Sequence, residues 1–120
     1  MAASQIVSAL QSVVSRNVDP QDTAVLSVTR LLSGEAYNVI PNEATVGGTV
    51  RAFQPATLDL MESRIGDIAT GIAQSLGVIA DYDFRLIFLP LINDEDPHVL
   101  QVMSPHQLCR RTISTVRDLE

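Results

Sequence analysis

Two polar side chains stand out as a potential binding pair: Asn38 and Arg51, thirteen residues apart. An arginine on the polar face of a strand is a permanently charged fork suited to holding a carboxylate, and an asparagine can add a neutral hydrogen bond. Each also has an ordinary reading. An asparagine after a glycine-containing bend serves as a turn residue, and a strand arginine is commonly just solvated. Fully extended, thirteen residues would span roughly 43 to 47 Å, so a ligand shared by the two requires the chain to double back between them. Pro41-Asn42 is where the sequence predicts that reversal.

Other chemistry is weaker. His98, His106 and Cys109 are metal-ligand types, but only three are in view and their spacing matches no established zinc pattern. The acidic clusters Asp81-Tyr82-Asp83 and Asp94-Glu95-Asp96 lack the alternating ligands, glycine and terminal glutamate of a calcium loop, and they read as solvated turns. No Gly-x-Ser-x-Gly elbow accompanies the serines. Gly47-Gly48 precedes no helix and so is no phosphate loop. Within a strand, such a pair allows a bulge or a close backbone neighbour. All eight basic residues are arginine, which removes any lysine nucleophile.

The elements that would position Asn38 and Arg51 follow from periodicity. Ala2 to Arg16 carries Ile6, Val7, Leu10, Val13 and Val14 at helical spacing, and Asp19-Pro20 lies beyond its end. Thr23 to Leu32 reads as a strand with Ala24, Leu26 and Val28 on one face and Val25, Ser27, Thr29 and Leu31 on the other. From Ala44 a second strand sets Val46, Gly48, Val50 and Ala52 against Thr45, Thr49 and Arg51. A long helix follows, with Thr57 as a candidate N-cap, a stripe of Leu58, Met61, Ile65, Ile68, Ile72 and Leu76, and Gly77 as terminator. Asp81 to Leu89 alternates as a last strand, with Tyr82, Phe84, Leu86 and Phe88 on one side. Beyond Pro90 the pattern weakens. His98 to Met103 fits a short strand or a helical turn, and Gln107 to Asp118 fits either a helix or a strand.

The order helix, strand, strand, helix, strand predicts an α+β two-layer sandwich, ferredoxin-like, with an antiparallel sheet, two helices on one face and the first strand missing. That absent strand is internal, so its slot must be filled by the tail, by a partner chain or by sheet-to-sheet pairing. A length of 120 residues suits one domain with an aliphatic core, since only five residues are aromatic and none is tryptophan. A net charge of −6 argues against a nucleic-acid partner. No apolar run approaches the roughly 20 residues that span a bilayer, so no membrane partner is expected. A single cysteine and no signal-like start make a cytoplasmic setting the expectation.

The string Gly34-Glu35-Ala36-Tyr37-Asn38-Val39-Ile40-Pro41-Asn42, followed by Gly48-Thr49-Val50-Arg51, resembles the lid, or dimerisation, domain of a metal-dependent amidohydrolase family. That family includes aminoacylase, hippurate hydrolase and carboxypeptidase G. The first-helix sequence, Ile68-Ala69-Thr70-Gly71-Ile72-Ala73 and Pro90-Leu91-Ile92-Asn93-Asp94 are similar too, so the likeness covers about the first 94 residues. The resemblance implies a parent enzyme in which a separate catalytic domain holds two metal ions, usually zinc, and hydrolyses N-acyl amino acids or related amides. It assigns Asn38 and Arg51 to gripping the substrate carboxylate, and it implies a homodimer or strand-swapped oligomer. The family's lid histidine lies on the first strand, which is absent here. No His-x-Asp or Glu-Glu metal motif occurs in this sequence, so no cofactor and no catalytic residue are expected in this chain, and hydrolysis would need the missing catalytic domain. Residues 1–94 are read as the lid and 95–120 as a divergent tail. The other class of function is a free-standing ferredoxin-like interaction module that binds a small carboxylate regulator.

Overall fold

The computed structural model describes residues 1–85 and the backbone of residues 116–118. Helix α1, Ala2–Asn17, buries Ala3, Ile6, Leu10 and Val13, the stripe expected from its apolar spacing. It stops at Val18, whose backbone is extended two residues before Pro20. Strands β1, Ala24–Ser33, and β2, Glu43–Ala52, form an antiparallel hairpin that pairs Ala24 with Ala52 at one end and Ser33 with Ala44 at the other. Helix α2, Pro55–Ser75, crosses back over the sheet and buries Leu58, Met61, Ile65, Ala69 and Ala73. It leads through Gly77, at φ +71, into β3, Val78–Ala80. A further strand, β4, Val116–Asp118, completes the sheet.

The sheet order is β1-β2-β4-β3, with β4 antiparallel to both neighbours. β2 and β3 therefore run parallel with one strand between them, joined by α2, and a strand from the tail occupies the slot left by the absent first strand. This is the expected α+β architecture: a ferredoxin-like fragment with two helices on an antiparallel sheet. Its core joins both helices to the hairpin through Ile6, Leu10, Val13, Val50, Met61 and Ile65.

Three local readings are corrected. Thr57 is not the N-cap of α2. Gln54 takes that position with Pro55 first in the helix, where a missing N–H costs nothing. Thr57 is buried one turn in, and its hydroxyl donates to Asp22 Oδ2 at 2.8 Å, tying the loop before β1 to the helix. The last strand is assigned at Val78–Ala80 rather than from Asp81. The predicted facing survives that shift, because Phe84 packs on the core and Tyr82 lies against α2 at Gly66. Finally, the pairing of β1 slips between Val28 and Arg30, a β-bulge at Thr29. Leu86 to Leu89, the Pro90 to Asp94 similarity, the Asp94-Glu95-Asp96 turn, His98, His106, Cys109 and most of the tail reading lie outside the described residues.

Candidate functional site

The bulge decides which side chains reach the open face of the hairpin. Cross-strand partners share a face, and Val46, Val50 and Ala52 point into the core. Before the bulge Leu26 opposes Val50 and Val28 opposes Gly48, so both face the helices. After it Leu31 opposes Val46, and Arg30 opposes Gly47. Simple alternation had set Leu31 outward with Val25; the extra residue turns it to the helix side and turns Arg30 out. Room for this comes from the glycine pair. A Cβ on Gly48 would sit 2.5 Å from the Ser27 carbonyl oxygen, and one on Gly47 would sit 3.3 Å from Arg30 Cβ.

Arg51 lies opposite Val25 near the end of β2, on the outward face with Thr45, Thr49 and Arg30, and is exposed. Among the described residues the arginine ion pairs are Arg64 with Asp67 and Arg85 with Asp83, and neither Arg51 nor Arg30 belongs to them. Two cations therefore share the outward face of the hairpin, about 13 Å apart for the four residues from Gly47 to Arg51. Sequence reading passed over Arg30 because strict alternation buries it. The available signal was an arginine at a would-be core position facing two glycines.

Asn38 is exposed in the connection between β1 and β2. That loop leaves β1 through Gly34, at φ +78, and returns past Pro41, which packs on Gly34. It borders a hollow of about 710 Å³ lined by Leu31, Leu32, Val39, Pro41, Glu43 and Thr45 among others. The chain does double back here, as expected, but β2 then runs away from the loop. Eight residues separate Glu43 from Arg51, about 26 Å of strand. One hairpin thus carries both residues at opposite ends and does not bring them to one small ligand.

Among the described residues, no three His, Cys, Asp or Glu side chains are grouped so as to hold a metal ion. No helix among the described residues is long and apolar enough to cross a membrane.

No protein-family model matches the chain, and no solved structure does. Curated proteins do match. An N-acetylcysteine deacetylase of Bacillus subtilis is 40% identical over 94 residues, covering 78% of this chain and 24% of the relative. A hippurate hydrolase of Campylobacter jejuni is 50% identical over 74 residues, 62% of this chain and 19% of the relative. An IAA-amino acid hydrolase of Arabidopsis thaliana is 37% identical over 102 residues, 82% of this chain and 23% of the relative. The chain belongs, as a partial domain, to this amidohydrolase family. It spans about a quarter of the length of the curated relatives it matches. The amidohydrolase resemblance therefore rests on most of the described fold, the hairpin that carries Asn38 and Arg51 being one third of it, and not on a single motif.

Proposed function

We propose that this chain is the lid and dimerisation part of an amidohydrolase acting on N-acyl amino acids or related amides, and that it is inert by itself. The observation that carries the reading is the match over 94 residues to a protein named as an N-acetylcysteine deacetylase, of which this chain would make up about a quarter. Catalysis then belongs to the remaining three quarters, with whatever metal that part holds. The contribution of this chain is recognition: Arg51 offers a charged fork to a substrate carboxylate and Asn38 an amide. Because the two sit at opposite ends of β2, one carboxylate held by both needs two chains, Arg51 from one protomer and Asn38 from its partner. A homodimer is built into that proposal.

The test is a chimera in which residues 1–94 replace the matching segment of the Bacillus subtilis relative. Activity on N-acetylcysteine is expected to survive in the chimera and to fall at least tenfold in the Arg51→Ala and Asn38→Ala versions, the size of one lost charge-assisted or buried hydrogen bond. Mixing the two inactive versions should restore activity, since some mixed dimers keep one intact site. Full activity in both single variants would overturn the assignment, as would chelator-sensitive hydrolysis by the isolated chain supplied with zinc.

The outward face that Arg30 and Arg51 share favours a second reading, a free-standing module that binds a small carboxylate regulator. Calorimetry of the isolated chain with N-acetyl amino acids separates the two. Saturable heat that disappears in Arg51→Ala supports the module, and no heat supports the lid.

A further inference from the structure

We infer that Arg30 is a second carboxylate anchor beside Arg51, and that the two arginines select N-acyl amino acids whose side chain ends in an acid at about glutamate length. The inference rests on the reading that Arg51 takes the substrate's own carboxylate, and it adds a substrate class to that reading. Placement is the first observation. On the outward face of the hairpin the pair Ser27 and Thr49 stands between Arg30, which opposes Gly47, and Arg51, which opposes Val25. Both arginines are exposed, and neither belongs to the ion pairs of the described residues. Glu43 is the one acid of β1 and β2, and it lies at the far end of β2 from Arg51. In a chain of net charge −6, this part of the face is therefore locally cationic and attracts anions.

The second observation is how Arg30 is seated. Gly47 belongs to the outward face and is nevertheless buried. A Cβ built on it would lie 3.3 Å from Arg30 Cβ and 3.8 Å from Arg30 Cδ, so the arginine stem passes over the glycine and onto β2. A side chain at position 47 would lift or turn that stem. The bulge at Thr29 turns Arg30 outward and the glycine gives it a flat seat, so two departures from regular strand structure serve one side chain. Between the two charges lie only the short hydroxyl side chains of Ser27 and Thr49, which leave the space above them open to a ligand.

Spacing then sets the ligand. Each guanidinium is a planar fork that holds one carboxylate through two parallel hydrogen bonds. With about 4 Å from each guanidinium carbon to its carboxylate carbon, upright arginines about 13 Å apart leave about 5 Å between the two carboxylate carbons, the reach of the four C–C bonds of a glutamate. A single compact anion meets only one fork. A substrate with a neutral side chain likewise engages Arg51 alone and leaves Arg30 without a partner.

The experiment uses the chimera with the Bacillus subtilis relative, assayed on N-acetylglutamate and on N-acetylglutamine, which has the same length without the second charge. The readout is the ratio of kcat/KM for the first to that for the second. Arg30→Gln is expected to lower this ratio roughly tenfold or more, the size of one lost charge-assisted pair. Arg30→Lys should lower it less, because the charge stays and only the fork is lost. Gly47→Leu keeps the arginine but fills its seat, and should also lower the ratio. Arg16→Gln removes an equal charge from the exposed surface of α1 and should leave the ratio where it was. An unchanged ratio in Arg30→Gln would overturn the inference, and so would an equal fall in Arg16→Gln. Failure of the underlying reading looks different: Arg51→Ala then keeps full activity on both substrates, and the inference falls with it. Where the exchange of residues 1–94 does not fold, exchange of residues 24–52 alone carries both arginines and allows the same comparison.

Discussion

At the scale of single residues, the two adjacent glycines of β2 have different roles, and the difference is measurable. A methyl at Gly48 meets backbone, the Ser27 carbonyl at 2.5 Å, whereas a methyl at Gly47 meets Arg30 Cβ at 3.3 Å. Neither glycine has a positive φ, so strain in the residue itself is not at issue. Replacement by alanine reduces the freedom of the unfolded chain, which favours folding by about 0.4–1 kcal/mol at either site. At Gly48 the strands must part to admit the methyl, at a cost of about 1–3 kcal/mol. Gly48→Ala is therefore expected to lower the urea midpoint clearly, while Gly47→Ala leaves it near the parent value; equal effects at the two positions would contradict the bulge geometry. The alternation of Val46, Gly48, Val50 and Ala52 against Thr45, Thr49 and Arg51 was legible in the sequence because the strand is half buried, and the glycine pair could be read as a bulge or close approach. What could not be read was the place where the partner strand bulges. Thr29 has nothing in its chemistry to mark it, and without it Arg30 and Leu31 fall on the wrong faces. The strand read from Ala44 to Ala52 already sets Arg51 at the end away from the Pro41 reversal, so the separation of Asn38 from Arg51 was legible in the sequence.

Among elements, α2 was the most legible and its ends the least. A stripe of Leu58, Met61 and Ile65 forces the helix to lie on the sheet, yet capping was misread because Thr57 has a partner 35 residues away, in Asp22. No local pattern encodes that pair. Gly66, in the middle of α2, has a definite purpose. A Cβ on Gly66 would lie 2.9 Å from Tyr82 Cζ and Oη, so the glycine lets the chain after β3 pack flat on the helix. This yields a dependence on context. In the parent chain Gly66→Ala pushes aside the exposed end of the Tyr82 ring, which offsets most of the gain in helix propensity, so the substitution is expected to change stability by no more than about 0.5 kcal/mol. With Tyr82→Ala in place the clash is gone, and the same substitution should stabilise by about 0.8–1 kcal/mol, the propensity difference alone. A double-mutant cycle by denaturant unfolding reads the difference directly. Additive effects would mean that Tyr82 does not rest on Gly66.

For the molecule as a whole, the sheet has one edge whose chemistry points outward. Among the described residues β1 is terminal in the sheet, and it is ten residues long, with Val25, Leu31 and Leu32 each 49% exposed. Strands at sheet edges are commonly shortened, charged or covered, because unpaired backbone groups recruit other strands. Among the described residues of β1 the one charged side chain is Arg30, at the bulge. The loop beyond adds Tyr37, Val39 and Ile40, all exposed, to the same end of the hairpin. An edge of this kind is suited to antiparallel pairing with its own copy, in which residue i meets residue j and j meets i about a two-fold axis. The two-chain arrangement that a carboxylate shared by Arg51 and Asn38 requires would draw on such an interface. Lysine at Leu32 should discriminate. Leu32 lies opposite Thr45 on the face away from the helices, so the substitution leaves the core untouched and is expected to change folding stability by no more than about 0.5 kcal/mol. It places a long charged side chain on the edge that a second copy would have to cover. Sedimentation velocity over a hundredfold concentration range is expected to show concentration-dependent association for the parent chain and a predominantly monomeric species for Leu32→Lys. If the variant associates as strongly as the parent, the pairing surface lies elsewhere than β1.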